Sequence, residues 1–459
     1  MTELPGAADR RADPQPEEPG AAFERVQRAL ADRFPSRMVP DLDRITELMD
    51  LLGSPQKSYP AIHVTGTNGK TSTARMIDAL LRSFGLRPGR YTSPHLESVT
   101  ERITIDGLPL SPGDFVAAYD EVAPYVELVD AHSEQRVTYF ELTTAMAFAA
   151  FADAPVDVAV VEVGLGGSWD STNVLDAAVA VITPIGLDHL DVLGETLVEI
   201  AGEKAGIIAA GATVLVGRQP LEAAEVLLRR AVDVSATVAR EGLEFGVLHR
   251  SVAVGGQLVT LQGLGGVYEE VFLPLHGEHQ AGNAACALAA VEAFLGGGGQ
   301  PLAMDAVREG FAQADSPGRL EIVRTSPTVL LDAAHNPAGA SALAAALADA
   351  FTFARLIGVV AVLLDKDVRG ILEALEPVLD AVVVTQNASG RAMPADDLAA
   401  IAVEIFGADR VDVEVRLDDA IEAAVRLAEE DASAVLGGTG VLVTGSVVTV
   451  GEARTLLRR

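Results

Sequence analysis

The chain has 459 residues, 49% of them apolar, and a formal net charge of -31 from 34 basic and 65 acidic side chains. That length exceeds one typical core and implies at least two domains, while the acidic balance excludes duplex nucleic acid or an anionic membrane as partner, since either repels it at long range. The single cysteine, Cys286, cannot close an intramolecular disulfide, and its helix-like surroundings from Asn283 to Leu288 read as inert core in a reducing, cytoplasmic compartment.

Residues 1–21, with scattered charges and no apolar core, read as a disordered tail rather than a signal peptide. The most apolar stretch, 142–161, is interrupted by Asp153, Pro155 and Asp157, so no membrane-spanning segment is expected. From 22 to 53 the apolar spacing is helical, broken by Pro35 and Pro40. Strand 61–65, helix 71–84, an irregular stretch 92–112, helices 113–128 and 140–152, strands 156–163 and 178–183, helix 195–208 and strand 212–216 follow. A β-rich excursion spans 236–275, then an alanine-rich helix from 283 to 295, four glycines at 296–299 and a helix ending near 312. After a linker at 315–318 the alternation restarts: strand 328–331, helix 338–349, strand 356–363, helix 367–379, strand 381–385, helices 395–405 and 418–429, strand 441–444. Strands alternating with helices mean parallel sheets. The expected architecture is α/β, with a P-loop-containing central domain over 22–314 and a smaller Rossmann-like domain over 315–459.

Chemistry concentrates at strand ends, where open parallel sheets bind ligands. The strand 61–65 runs into Gly66-Thr67-Asn68-Gly69-Lys70-Thr71, a glycine-punctuated turn before a helix. Its backbone N–H groups, Lys70 and the helix dipole would cradle nucleotide phosphates, although Val64 stands where the common pattern has its first glycine. Glu162 ends the next apolar strand, where a carboxylate is a natural Mg²⁺ ligand. His189, on a neighbouring strand-end loop, fits a second metal and an ordinary loop histidine equally well. Lys204 fits an exposed helix position, the commoner case, or a desolvated lysine able to form a metal-binding carbamate. Ser93 offers a hydroxyl oxygen or simply forms a turn. In the second unit Asp332 and His335 would project beyond a strand end, and Arg319 could clamp phosphate from the far side.

Eight ordered segments, at 64–71, 92–96, 138–141, 162–167, 188–189, 203–206, 317–319 and 332–337, resemble the folylpolyglutamate synthase/dihydrofolate synthase family of the Mur ligase superfamily over nearly the whole chain from about residue 25. The resemblance implies a Mur-ligase-type fold and an ATP-dependent ligase. ATP would phosphorylate a substrate carboxylate, and the amino group of L-glutamate would attack the acyl phosphate. It places ATP on Thr67, Asn68, Gly69, Lys70, Thr71, Asn283, Arg319, Asp332 and His335. One Mg²⁺ falls to Ser93 and Glu162, a second to His189 and carbamylated Lys204, with Lys70, His189 and Lys204 carrying the chemistry. Met38, Val39, Pro40, Tyr139, Phe140, Glu141, Trp169 and Asp170 would contact the pterin part of dihydropteroate or a reduced folate, and the Tyr139-Phe140-Glu141 set favours a dual enzyme. Family members are usually monomers. The chain departs from the family at Ser168, where arginine is common.

Two rivals are weighed against this. A cell-wall amino-acid ligase of the same superfamily would need a nucleotide-sugar domain ahead of the phosphate loop, for which the preceding residues leave no room. A P-loop ATPase switch would turn ATP over with no acceptor carboxylate.

Overall fold

The computed structural model describes residues 18–35, 39–430 and 438–458. Its first sheet takes β1 (Ala61–Thr65), β2 (Pro88–Tyr91), β3 (Ile103–Ile105), β4 (Leu108–Pro109), β5 (Val158–Glu162), β6 (Val179–Ile182), β7 (Thr213–Val216) and β8 (Thr237–Arg240). They lie in the order β4-β3-β2-β5-β1-β6-β7-β8, parallel from β2 to β8, with β3 antiparallel to β2. The central strands are buried along their whole length and mostly apolar, as a sheet covered on both faces requires. Helices Lys70–Ser83, Glu278–Gly296 and Met304–Ala312 cover one face; Asp43–Leu51, Pro112–Asp130 and Tyr139–Asp153 cover the other.

A small antiparallel sheet, β9 (Gly246–Ala253), β10 (Gly256–Gln262) and β11 (Val267–Leu273), packs on the helix Glu278–Gly296. The third sheet comprises β12 (Glu321–Thr325), β13 (Thr328–Leu331), β14 (Phe353–Val360), β15 (Ala381–Val384), β16 (Val411–Val413) and β17 (Gly438–Thr444), ordered β12-β13-β17-β14-β15-β16 and parallel except for β12. Helices pack on both of its faces.

Strand order decides where a ligand can lie. β1 sits between β5 and β6, and the chain leaves it first for β2 on one side and later for β6 on the other. β17 likewise separates β13 from β14. The loops at the carboxyl ends therefore diverge around a crevice in each sheet.

Several expectations need correction. The helix Pro19–Ala31 starts inside the expected tail, with proline in its first turn and Val26 and Leu30 buried; residues 1–17 lie outside the described residues. The irregular stretch 92–112 holds a capped turn at Val99–Arg102 and the short strands β3 and β4. β8 belongs to the first sheet, not to the small one. Helices Leu221–Asp233 and Val447–Leu457 and strands β12 and β16 were not expected, and β2 only as a possible strand before Ser93. The three strands are short, β2 carries Pro88 and Gly89, and β12 and β16 are edges with half-exposed sides, so none shows a clean alternation.

Candidate active site

The phosphate loop follows β1 and is shaped by two glycines. Gly66 has φ +148°, and a Cβ there would collide with Thr183; Gly69 has φ +88° and lies against the Asn283 carboxamide. Thr67 anchors the loop to the segment after β6, donating to the Gly186 carbonyl and accepting its N–H, both at 3.0 Å. The Lys70 ammonium donates to the carbonyls of Gly66 at 3.0 Å and Thr67 at 3.2 Å. Burial lowers its pKa, and the nearby Glu162 carboxylate opposes that shift.

β1 and β5 pair with Val64 opposite Glu162, which puts this carboxylate beside the start of the loop. The Thr71 hydroxyl donates to its two oxygens at 2.8 and 3.0 Å, and the Ser93 N–H approaches from the end of β2 at 3.3 Å. Burial raises the Glu162 pKa, with Lys70 and Thr71 pulling it back. Lys204 reaches the same cavity from the last turn of the helix Leu197–Lys204. Only 3% exposed, it has its pKa drawn down to about 7, first by burial and then by Lys70. The buried alternative for Lys204 is therefore the one realised.

After β6, Asp188 and His189 face the C-terminal unit. Burial works against the Asp188 charge, but His189, Lys366 and His335 together hold it well below the usual carboxylate range. Burial lowers the His189 pKa, and the Asp188 carboxylate opposes that shift. From the far side, the segment after β13 supplies Asn336, which donates to Asp188 at 3.0 Å and exchanges hydrogen bonds with Asn68. Asn336 also caps the helix Pro337–Ala350 through the Gly339 N–H at 2.8 Å.

Thr67, Asn68, Gly69, Lys70, Thr71, Ser93, Glu162, His189, Lys204, Arg319 and His335 line one cavity between the two units, with Asp188 and Val447. Asn283 stands just behind Gly69. Asp332 stands apart from the lining: it is buried and accepts the N–H groups of Leu320 and Ala334, both at 2.9 Å, which fixes the segment that carries Arg319. Burial draws the His335 pKa down to about 4, and its Nδ1 bonds the Ala333 carbonyl. Asp188 and Asn336 lie in segments the sequence marks but were given no role of their own, and Lys366 was missed.

The expected pterin contacts do not converge in that cavity. Met38 lies outside the described residues; Val39 is half-buried and Pro40 exposed. Tyr139 is buried, stacked on Phe34 with centroids 4.4 Å apart, and Phe140 packs over Gly164. Glu141 is committed internally: Arg44 reaches its carboxylate at 3.0 Å, and the Thr138 N–H at 2.7 Å closes a capping box. Asp170 likewise accepts the N–H groups of Leu165 at 2.8 Å and Thr172 at 3.0 Å. Both carboxylates are thus engaged within the protein. Trp169 is partly buried, packed against the apolar cluster that includes Val163, Leu193 and Ile200. Ser168, at the position of the family arginine, donates its hydroxyl to Glu203 and its N–H to the Glu203 carbonyl at 2.9 Å, tying this loop to the helix that bears Lys204.

Residues 64–291 match the Mur ligase middle domain, and residues 318–447 match the Mur ligase glutamate ligase domain. A dihydrofolate synthase/folylpolyglutamate synthase from Mycobacterium tuberculosis is 56% identical over 467 aligned residues, covering 97% of this chain and 96% of that protein. This chain belongs to the dihydrofolate synthase/folylpolyglutamate synthase family. The dihydrofolate synthase/folylpolyglutamate synthase of Escherichia coli is 36% identical over 74% of this chain and 76% of its own. Among solved structures, M. tuberculosis folylpolyglutamate synthase complexed with ADP superposes with a TM-score of 0.93 at 57% identity, covering 96% of this chain and 99% of that one. E. coli FolC in complex with DHPP and ADP gives 0.82 at 31% identity, over 96% and 99%. As a family member the chain is an ATP-dependent acid–amino-acid ligase, with the central and C-terminal α/β units of Mur ligases. Among the described residues no helix is long and apolar enough to cross a membrane.

Proposed function

We propose that this enzyme joins L-glutamate to dihydropteroate, giving dihydrofolate, and to the glutamate tail of reduced folates. The acceptor carboxylate oxygen attacks the γ-phosphorus of ATP, the bond to the β-phosphate breaks and ADP leaves. The glutamate nitrogen then attacks the acyl carbon, phosphate departs with the bonding pair, and the nitrogen loses a proton. The observation that carries this reading is the interdomain cavity on which the phosphate loop, Glu162, buried Lys204, Arg319 and His335 converge. Lys70 and Arg319 supply fixed positive charge for the transferring phosphoryl group. Asn283 and Asp332 belong to this machinery as positioning groups, one behind Gly69 and one beneath Arg319. Enclosure between two units keeps water from the acyl phosphate.

The donors present suit two Mg²⁺ ions. Glu162, Thr71 and Ser93 offer hard oxygens beside the phosphate loop. A Lys204 amine with pKa about 7 has a neutral fraction at physiological pH. Its nitrogen can add to CO₂ and lose a proton, giving a carbamate oxygen to complement His189. No group of three or more His, Cys, Asp or Glu side chains fit to hold an ion occurs among the described residues, so phosphate oxygens and the carbamate would complete each shell. Bound Mg²⁺ would neutralise charge on the phosphoryl oxygens.

Phe140 and Trp169, with the segment at Val39 and Pro40, are our candidates for covering the pterin ring, while Tyr139, Glu141 and Asp170 shape that wall from within. The working units are 22–314 and 315–459, in a cytoplasmic monomer with no nucleic-acid or membrane partner. The test is incubation with ATP, Mg²⁺ and L-glutamate plus dihydropteroate or tetrahydrofolate, followed by mass spectrometry. One added glutamyl unit on each acceptor supports the dual reading, and addition to tetrahydrofolate alone reduces it to a folylpolyglutamate synthase. ADP release without any acceptor would favour the ATPase switch.

A further inference from the structure

Lys366 lies in the loop that follows β14 in the C-terminal unit, yet its ammonium ends inside the central unit. Nζ donates to Asp188 Oδ1 at 2.7 Å and to His189 Nε2 at 3.3 Å. The contact is shielded, with the Lys366 side chain 7% exposed and that of Asp188 9%. The other Asp188 oxygen, Oδ2, takes the Asn336 amide at 3.0 Å and lies 3.7 Å from His335 Nε2. Each Asp188 oxygen thus holds a different segment of the C-terminal unit.

His189 Nε2 has one lone pair, and Lys366 uses it. An imidazole nitrogen cannot give the same lone pair to an ammonium and to a divalent ion, and two cations at that spacing repel strongly in a shielded site. We propose that Lys366 and the second divalent cation exclude each other at His189, so that loading the ion withdraws Lys366 while Asn336 keeps its hold on Asp188. The proposal rests on the two-ion reading above. Lys366 is then a gate on metal entry carried by the C-terminal unit. By reciprocity, whatever draws Lys366 away from Asp188 tightens the ion.

The test titrates the full-length protein with Mn²⁺ and follows free Mn²⁺ by electron paramagnetic resonance. Wild type, His189→Ala, Lys366→Met and Lys366→Gln are compared, with circular dichroism to verify folding. The His189-dependent site should tighten by about tenfold or more in both Lys366 variants, because a buried unit positive charge has been removed. Unchanged or weaker binding at that site overturns the gate. Equal binding by wild type and His189→Ala would instead remove the two-ion reading, and the gate with it. Should the Lys366 variants misfold, amine acetylation of the unaltered chain decides: labelling of Lys366 should rise with Mn²⁺, and constant protection overturns the proposal.

Discussion

The carboxamides of Asn68 and Asn336 exchange two hydrogen bonds, of 3.2 and 3.1 Å, across the seam between the phosphate loop and the C-terminal unit. The nucleotide cradle is thereby tied to the segment that also holds Asp188. Asn68→Ala is expected to lower kcat/KM for ATP by about tenfold with little change in Tm, since one charge-free polar tie is lost. Asn336→Ala should lose as much activity and, by uncapping the helix Pro337–Ala350, a further ~1 kcal/mol of stability. Steady-state kinetics beside thermal melts separates the two.

Lys204 gives a sharper chemical prediction. Lys204→Ala should reduce turnover by about a hundredfold or more, and formate or acetate should restore part of it by supplying the missing carboxylate oxygen. Unchanged turnover would remove Lys204 from the site, and a loss that no short carboxylate rescues would argue against the carbamate.

Glu162→Gln keeps the size of the side chain and one acceptor oxygen for the Thr71 hydroxyl, but removes the charge. The expected result is a rise in the Mg²⁺ concentration needed for half-maximal rate and a fall in kcat of about a hundredfold. Tm should hold or rise, because a carboxylate whose ionised form is disfavoured by burial has been neutralised.

The internal assignment of Glu141 is tested through stability. Glu141→Gln leaves Arg44 only its outer partner Asp41 and weakens a buried pair, a change that costs about 3 kcal/mol in comparable settings. A large Tm loss with the KM for dihydropteroate little moved is expected. The reverse pattern would return Glu141 to direct ring binding.

These predictions also mark what the sequence discloses. The phosphate loop, Glu162, His189 and the Asp332–Pro337 segment were legible because each follows a strongly apolar strand, and strand ends are where parallel sheets bind ligands. Lys204 was ambiguous because its burial depends on the Ser168 loop packing against it from another part of the chain. The internal partners of Glu141 and Asp170 were not legible for a related reason: a carboxylate in a polar motif looks the same whether it meets a ligand or caps a helix. Lys366 was missed because its partners, Asp188 and His189, lie 178 and 177 residues away in sequence. No local pattern encodes that meeting.

Acid stability follows from His63, buried on β1 with Nε2 2.8 Å from the Thr172 hydroxyl. Burial lowers its pKa from 6.5 to about 3. Between those values the unfolded chain binds a proton that the native state refuses, so stability is full above pH 6.5 and falls as pH drops toward 3. The slope from this group is about 1.4 kcal/mol per pH unit. Chemical denaturation of His63→Gln and wild type across that range should show the variant with the shallower decline.

The central claim is that this interdomain cavity activates a carboxylate by phosphorylation before glutamate attacks. The most direct test supplies dihydropteroate whose carboxylate carries heavy oxygen, together with ATP, Mg²⁺ and L-glutamate, and weighs both products. The account predicts a glutamyl amide and one heavy oxygen in the released phosphate for every amide formed. Phosphate free of label, or ATP consumed without amide, would contradict it.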